Sequence, residues 1–155
     1  MRHVAPIATL FLLGATSAHA QLQNTKALTL DGAKNIVAAA EAEAKKNNWN
    51  MAFAIVDASG GLVLFHKSDL ARPSNVDFAL AKARTSARMQ RETWIIDSSI
   101  TAGRLQWLGT DAFPLQGGVN IVVDGQTIGA VGVSGGSSSQ DAQVAKVGVA
   151  ALIVK

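Results

Sequence analysis

Most of the side chains able to do chemistry fall in one stretch, HKSDLARPSNVDFALAKARTSARMQR, residues 66–91. His66 is a proton acceptor or donor near neutral pH, or a nitrogen ligand for iron. Arg72 or Lys82 can fix a carboxylate while Asp69 or His66 moves a proton. Lys82 adjoins the apolar Ala83, so it can look inward, the alternative being a lysine that snorkels to the surface. A buried lysine needs a partner, and Asp69 is the candidate taken from this stretch. Arg84, Arg88 and Arg91 are spaced i, i+4, i+7. That spacing is one helix face, either a solvated surface or a row of cations for an anionic ligand.

A second stretch, IGAVGVSGGSSSQDAQVAKVGVAAL (residues 128–152), runs from an apolar segment through glycines into a helical pattern. That order can cradle a phosphate. A dinucleotide fingerprint, however, needs a parallel βαβ unit and an acidic residue about 20 positions on, and a P-loop needs Lys after its last glycine. Here Ser follows, and the chain ends soon afterwards. The stretch therefore reads as a turn and cap, with Gly135-Gly136 free to take positive φ and Ser138 or Ser139 capping the helix. A small anion at the helix N-terminus is compatible with it. No cysteine is present, which excludes a Cys–His nucleophile, and a zinc site of His and Cys is not expected. No paired carboxylates stand at catalytic spacing, and a Ser–His–Asp triad would have to use His66.

The frame for these residues begins after a leader. Met1-Arg2-His3 is a short basic start, Val4 to Gly14 is almost wholly apolar, and Ala18-His19-Ala20 is an A-x-A cleavage pattern. This three-part pattern predicts a secretory signal over 1–20, leaving a single domain over 21–155 in the periplasm or outside the cell. The apolar run is too short to cross a hydrocarbon core of about 30 Å, so no membrane anchor is expected after cleavage. His3 and His19 leave with the leader, and His66 becomes the sole histidine. Thirteen of the 14 basic side chains then face 11 acidic ones, a balance too mild to suggest nucleic acid. A domain of this size buries about two-thirds of its unfolded surface.

Residues 28–49 carry apolar positions Ala33, Ile36, Val37, Ala40 and Ala44 at helical spacing, with Thr29 as N-cap. MAFAIVDASGGLVLFHK (51–67) reads as a hairpin turning at Ser59-Gly60-Gly61. Ser74 and Asp77 have capping-box spacing ahead of a second long helix buried through Val76, Ala79, Leu80, Ala83 and Ala87. Ser98 or Ser99 is expected to cap a short helix through Trp107. A second hairpin turns at Asp124-Gly125, and a last helix is expected over 140–153 with Ala142, Ala145, Val149 and Leu152 inward. Helices outside antiparallel pairs define an α+β sandwich rather than a doubly wound parallel sheet.

Three segments, GGLVLFHKSDLARPSNVDFALAKARTSA, LQGGVNIVVDGQTIGAVGVSGG and QDAQVAKVG, resemble the GlcG/HbpS family of small haem-binding proteins. That family is in turn similar to the C-terminal domain of PduO corrinoid adenosyltransferases. The resemblance covers nearly all of the mature chain. Its most specific parts are Gly60-Gly61 with Asp69, the Lys82-Ala83 pair, and Gly117-Gly118-Val119-Asn120 leading to GAVGVSGG and Gln140-Asp141. It implies a profilin-like sandwich with a central antiparallel sheet of four to five strands and flanking helices, and assembly into homo-oligomers. It also implies haem or a related tetrapyrrole as ligand in some members, and a role in small-acid catabolism in others. Asn120, His66-Lys67 and Leu70 depart from the usual family residues, and the resemblance carries no iron ligand onto any position. The ligand-binding residues expected on motif position and chemistry are Lys82, Asp69, Arg72, His66, Gly117 and Gly118, with no metal-ligating set.

Two functions from different classes follow. One is an exported binder of haem or another small planar ligand, with cationic side chains pairing to propionates. The other is an enzyme acting on a small carboxylate, as isomerase, hydratase or lyase. A third reading is a structural oligomer with glycine loops at its contacts. Fold alone does not choose among them.

Overall fold

The computed structural model describes residues 25–152; the expected leader lies outside them. The order is α1 (Leu30–Lys46), β1 (Ala52–Asp57), β2 (Leu62–Lys67), α2 (Ser74–Met89), α3 (Thr93–Thr101), a 3-10 turn (Leu105–Gly109), β3 (Gly118–Val123), β4 (Gln126–Ser134) and α4 (Ser138–Ala150). The four strands form one antiparallel sheet in the order β2-β1-β4-β3. This is the expected α+β sandwich. Asp124 and Gly125 take φ of 48° and 76° at the second hairpin, the positive values a two-residue turn demands.

Side-chain size decides how the two faces of the sheet are covered. Phe53, Ile55, Val131 and Val133 project to the face packed by α1 and α4, with Ile36, Ala40 and Val144 completing that core. Ala52, Ala54, Val56 and Ala130 project to the opposite face, where they meet Ala79, Ala83 and Ala87 of α2. Small residues on both sides let α2 lie directly on the sheet. A Cβ on Gly132 would stand 2.0 Å from the Ala79 carbonyl oxygen, so glycine is required there by space. The central strand β1 is buried on both faces, which explains its unbroken apolar run.

Several local expectations are corrected. Pro73, in the right-handed helical region, precedes α2, and no side-chain cap forms at Ser74; proline fixes φ for the entry in its place. Ser98 and Ser99 lie within α3, donating back to the Ile95 carbonyl, and the helix begins after Glu92. The last helix is capped by Ser137, with Gln140 completing a capping box, and its buried residues are Asp141, Val144, Ala145 and Gly148. Of the expected inward residues, Ala145 is buried and Val149 and Leu152 pack against the core, while Asp141, Val144 and Gly148 are buried where Ala142 was expected to be. Arg91 lies beyond the end of α2, its guanidinium over the Trp107 ring at 5.8 Å.

Candidate functional site

The residues expected to act together fall into two separate places. The first is an open cleft of about 410 Å³ where the end of α1 meets β2, lined by Glu41, Lys45, Trp49, His66, Lys67 and Asp69 among others. Strand register puts His66 opposite Phe53. The imidazole stacks on the Phe53 ring at 5.8 Å between centroids. It stands 3.0 Å from Glu41 Oε1 through Nε2, and Lys45 stands 2.8 Å from the same oxygen. The Lys45 and His66 side chains hold the Glu41 carboxyl below its usual range. Glu41 thus orients the ring: with Nε2–H donating to the carboxylate, Nδ1 keeps the lone pair. His66 remains 40% exposed.

A second hollow of about 500 Å³ adjoins this cleft, sharing Asn48, Trp49 and Asn50 with it. Arg72, Asn75 and the start of α4 close its other sides. The glycine loop that leads into α4 makes this approach possible. A Cβ on Gly135, whose φ is 154°, would stand 2.4 Å from the Asn50 carbonyl oxygen.

Lys82 is elsewhere. It is 2% exposed, and its Nζ donates to Asp141 Oδ2 at 2.6 Å and to the Val133 carbonyl at 3.0 Å. Asp69 is not its partner; it lies exposed on the loop after β2, lining the His66 cleft. Asp141 also accepts from the Gly136 N–H at 2.9 Å. Burial pushes the Asp141 carboxyl up, against the downward pull of Lys82 and of the Gly136 and Gly135 N–H groups. Gly117 and Gly118 make room for this arrangement. A Cβ on Gly117 would lie 3.0 Å from Lys82 Nζ, and one on Gly118 would lie 2.4 Å from the Lys82 carbonyl oxygen. Lys82 belongs to α2 and Asp141 to α4, which cover opposite faces of the sheet, so the ion pair ties the two faces together past the end of β4. Lys82, Gly117 and Gly118 line neither of the two clefts.

Chemically, the His66 cleft offers an oriented imidazole beside an indole and two lysines. Among the described residues no group of three His, Cys, Asp or Glu side chains could hold a metal ion. The Arg84 and Arg88 guanidiniums donate to the carbonyls of Gly60 and Ser59, bracing the first hairpin. Sequence reasoning missed Glu41, Trp49 and Asn75. Asp141 stood in a quoted motif, but nothing in local spacing joined it to Lys82.

This fold and site define a class. Residues 28–150 match the family of haem-degrading HbpS-like proteins, and the chain belongs to that family. Over 103 residues it is 43% identical to protein GlcG of Escherichia coli K12, covering 66% of this chain and 77% of that one. Among solved structures, protein ORFY of Klebsiella pneumoniae superposes with a TM-score of 0.80 at 29% identity, covering 88% of this chain and 97% of that one. A PduOC–haem complex superposes with a TM-score of 0.76 at 27% identity, covering 84% and 98%.

Proposed function

We propose that this protein binds haem or a related tetrapyrrole, with the His66 cleft as the receiving surface, and that it does so outside the cytoplasm. The carrying observation is a half-exposed imidazole, oriented by Glu41 and set beside Lys45, Lys67 and Trp49, in a chain of the HbpS-like family. The residues fit the group. An imidazole whose second nitrogen is hydrogen-bonded to a carboxylate is the usual form of a metal-ligating histidine. The two ammonium groups can pair with propionates, and an indole offers an apolar wall to a macrocycle. Haem would supply an iron centre for ligand binding or redox chemistry. The chain's own part is to hold the imidazole in one tautomer and anchor the carboxylates. The haem complex of a relative with the same fold supports this reading.

Export is supported by the three-part leader, and no described helix is long and apolar enough to cross a membrane. Assembly into homo-oligomers is supported by large apolar side chains left exposed at Trp94, Leu105 and Leu108. Haemin titration of the purified full chain, followed at the Soret band, tests the central claim. A saturable shift that is lost or altered in His66→Ala is expected. No Soret change with the wild-type protein would overturn haem binding, and an unchanged spectrum in His66→Ala would remove His66 from the site. Light scattering showing a monomer at micromolar concentration would refute the assembly.

A further inference from the structure

The hollow beside the His66 cleft has a chemistry of its own. Asn75 is 6% exposed, yet its carboxamide lines the hollow and makes no hydrogen bond among the described residues; only its backbone N–H is engaged, with Arg72 O at 3.0 Å. The amide is not a sealed, unsatisfied group; it borders the hollow, where a polar group entering that space can reach it. Three more carboxamides, Asn48, Asn50 and Gln140, line the same space, with the Trp49 indole and the Arg72 guanidinium. Gln140 Oε1 accepts from the Ser137 N–H at 2.8 Å, which leaves its NH2 group to donate elsewhere. Arg72 takes part in no ion pair among the described residues and is exposed. Among the described residues no acidic side chain lines the hollow. The nearest buried acid, Asp141, already has Lys82 as its counter-ion.

From these residues we infer that the hollow is a binding site for a carboxylate, with Arg72 as counter-charge and the Asn75 amide as an inner hydrogen-bond donor. Charge and donor type select this class. The positive end of the 13-residue helix α4 adds to the field. The Gly136 and Ser137 N–H groups, however, are spent on Asp141 and Gln140, so no row of free backbone donors remains to wrap a phosphate. One guanidinium with flanking carboxamides suits a planar monoanion, because the fork of Arg matches a carboxylate. The remaining amides can serve a neighbouring hydroxyl or carbonyl. The carboxylate can belong to a small free acid or to a propionate arm of a ligand seated in the adjoining cleft. The inference does not depend on haem binding.

Two arms of one experiment separate these sources. In the first, isotope-labelled full-length protein is titrated with acetate, lactate and succinate, and with inorganic phosphate as control, while the amide spectrum is recorded. Saturating shifts at the Asn75 side-chain NH2 and at Gly136 and Ser137 are expected with a carboxylate and weaker ones with phosphate. Arg72→Gln and Asn75→Leu should weaken carboxylate binding at least tenfold, and His66→Ala should not. In the second arm, haemin is compared with its dimethyl ester. A preference for the free diacid that disappears in Arg72→Gln assigns the site to a propionate. Because Arg72 is exposed, that variant keeps its fold, and a native-like amide spectrum verifies it. If no acid shifts the Asn75 amide and the haemin-to-ester preference is equal in wild type and Arg72→Gln, the inference is wrong. Acid binding without any Soret change would refute the haem reading alone.

Discussion

Replacing Lys82 with Met keeps the length of the aliphatic stem and removes the charge. The ammonium it deletes is buried at 2% exposure and donates to both Asp141 and the Val133 carbonyl. What remains is a buried carboxylate with only backbone N–H donors, and an orphaned carbonyl. Breaking one partner of a buried pair costs about 3–5 kcal/mol, mostly as the penalty of the charge left behind. In a domain of this size that lowers Tm on the order of 10–20 °C. The cost depends on pH with a definite sign. Burial already raises the Asp141 carboxyl above the usual carboxylate range, and Lys82 opposes that rise, so removing Lys82 raises it further. A raised carboxyl contributes full stability below its unfolded value and loses it as pH rises through the folded value. The deficit of Lys82→Met is therefore largest near pH 7 and shrinks as pH approaches 4. Urea unfolding at pH 7 and pH 4.5 measures it, and the double variant Lys82→Met with Asp141→Leu should regain at least about 2 kcal/mol. A loss below about 1 kcal/mol at pH 7, or strictly additive effects in the double variant, would refute the account of Lys82 as a tie between the two faces.

Gly132→Ala should destabilise by about 1–3 kcal/mol or more, because its Cβ would press on the backbone of α2 at 2.0 Å; a denaturation midpoint equal to wild type would contradict the close packing. The Ser59 side chain and the Gly61 N–H hold the Asp57 carboxyl below its usual range. A depressed carboxyl stabilises above its unfolded value and loses that contribution as pH falls through the folded one. Asp57→Asn should therefore lose stability relative to wild type at pH 7 and differ less below pH 3, as read by acid titration of the circular dichroism. Intact-mass measurement of protein exported by its natural host should give a chain beginning at Gln21, and recovery of the full-length chain from membranes would refute cleavage.

Elements governed by near neighbours in sequence were legible from the sequence. The apolar spacing of Ala33, Ile36, Val37, Ala40 and Ala44 is the buried face of α1, and Thr29 caps it, accepting from the Gly32 N–H. Both hairpins form at their glycine turns, since turn geometry is set by two or three residues. The loop at Gly135-Gly136 is a turn and cap, as its lack of a following lysine required, though Ser137 rather than Ser138 or Ser139 does the capping. The placement of side chains that meet across the fold was decided only by tertiary structure. Lys82 and Asp141 are 59 residues apart, and which carboxylate reaches the lysine depends on how α2 and α4 flank the end of β4. Nothing in local spacing distinguishes Asp69 from Asp141 as that partner. Asn75 gave no signal in the sequence, and its burial beside a hollow shared with the loop before α4 is a matter of packing. The expected ligand residues divide accordingly. His66, Asp69 and Arg72 face open clefts, while Lys82, Gly117 and Gly118 hold the sandwich together, because burial and partner choice are properties of packing rather than of residue type.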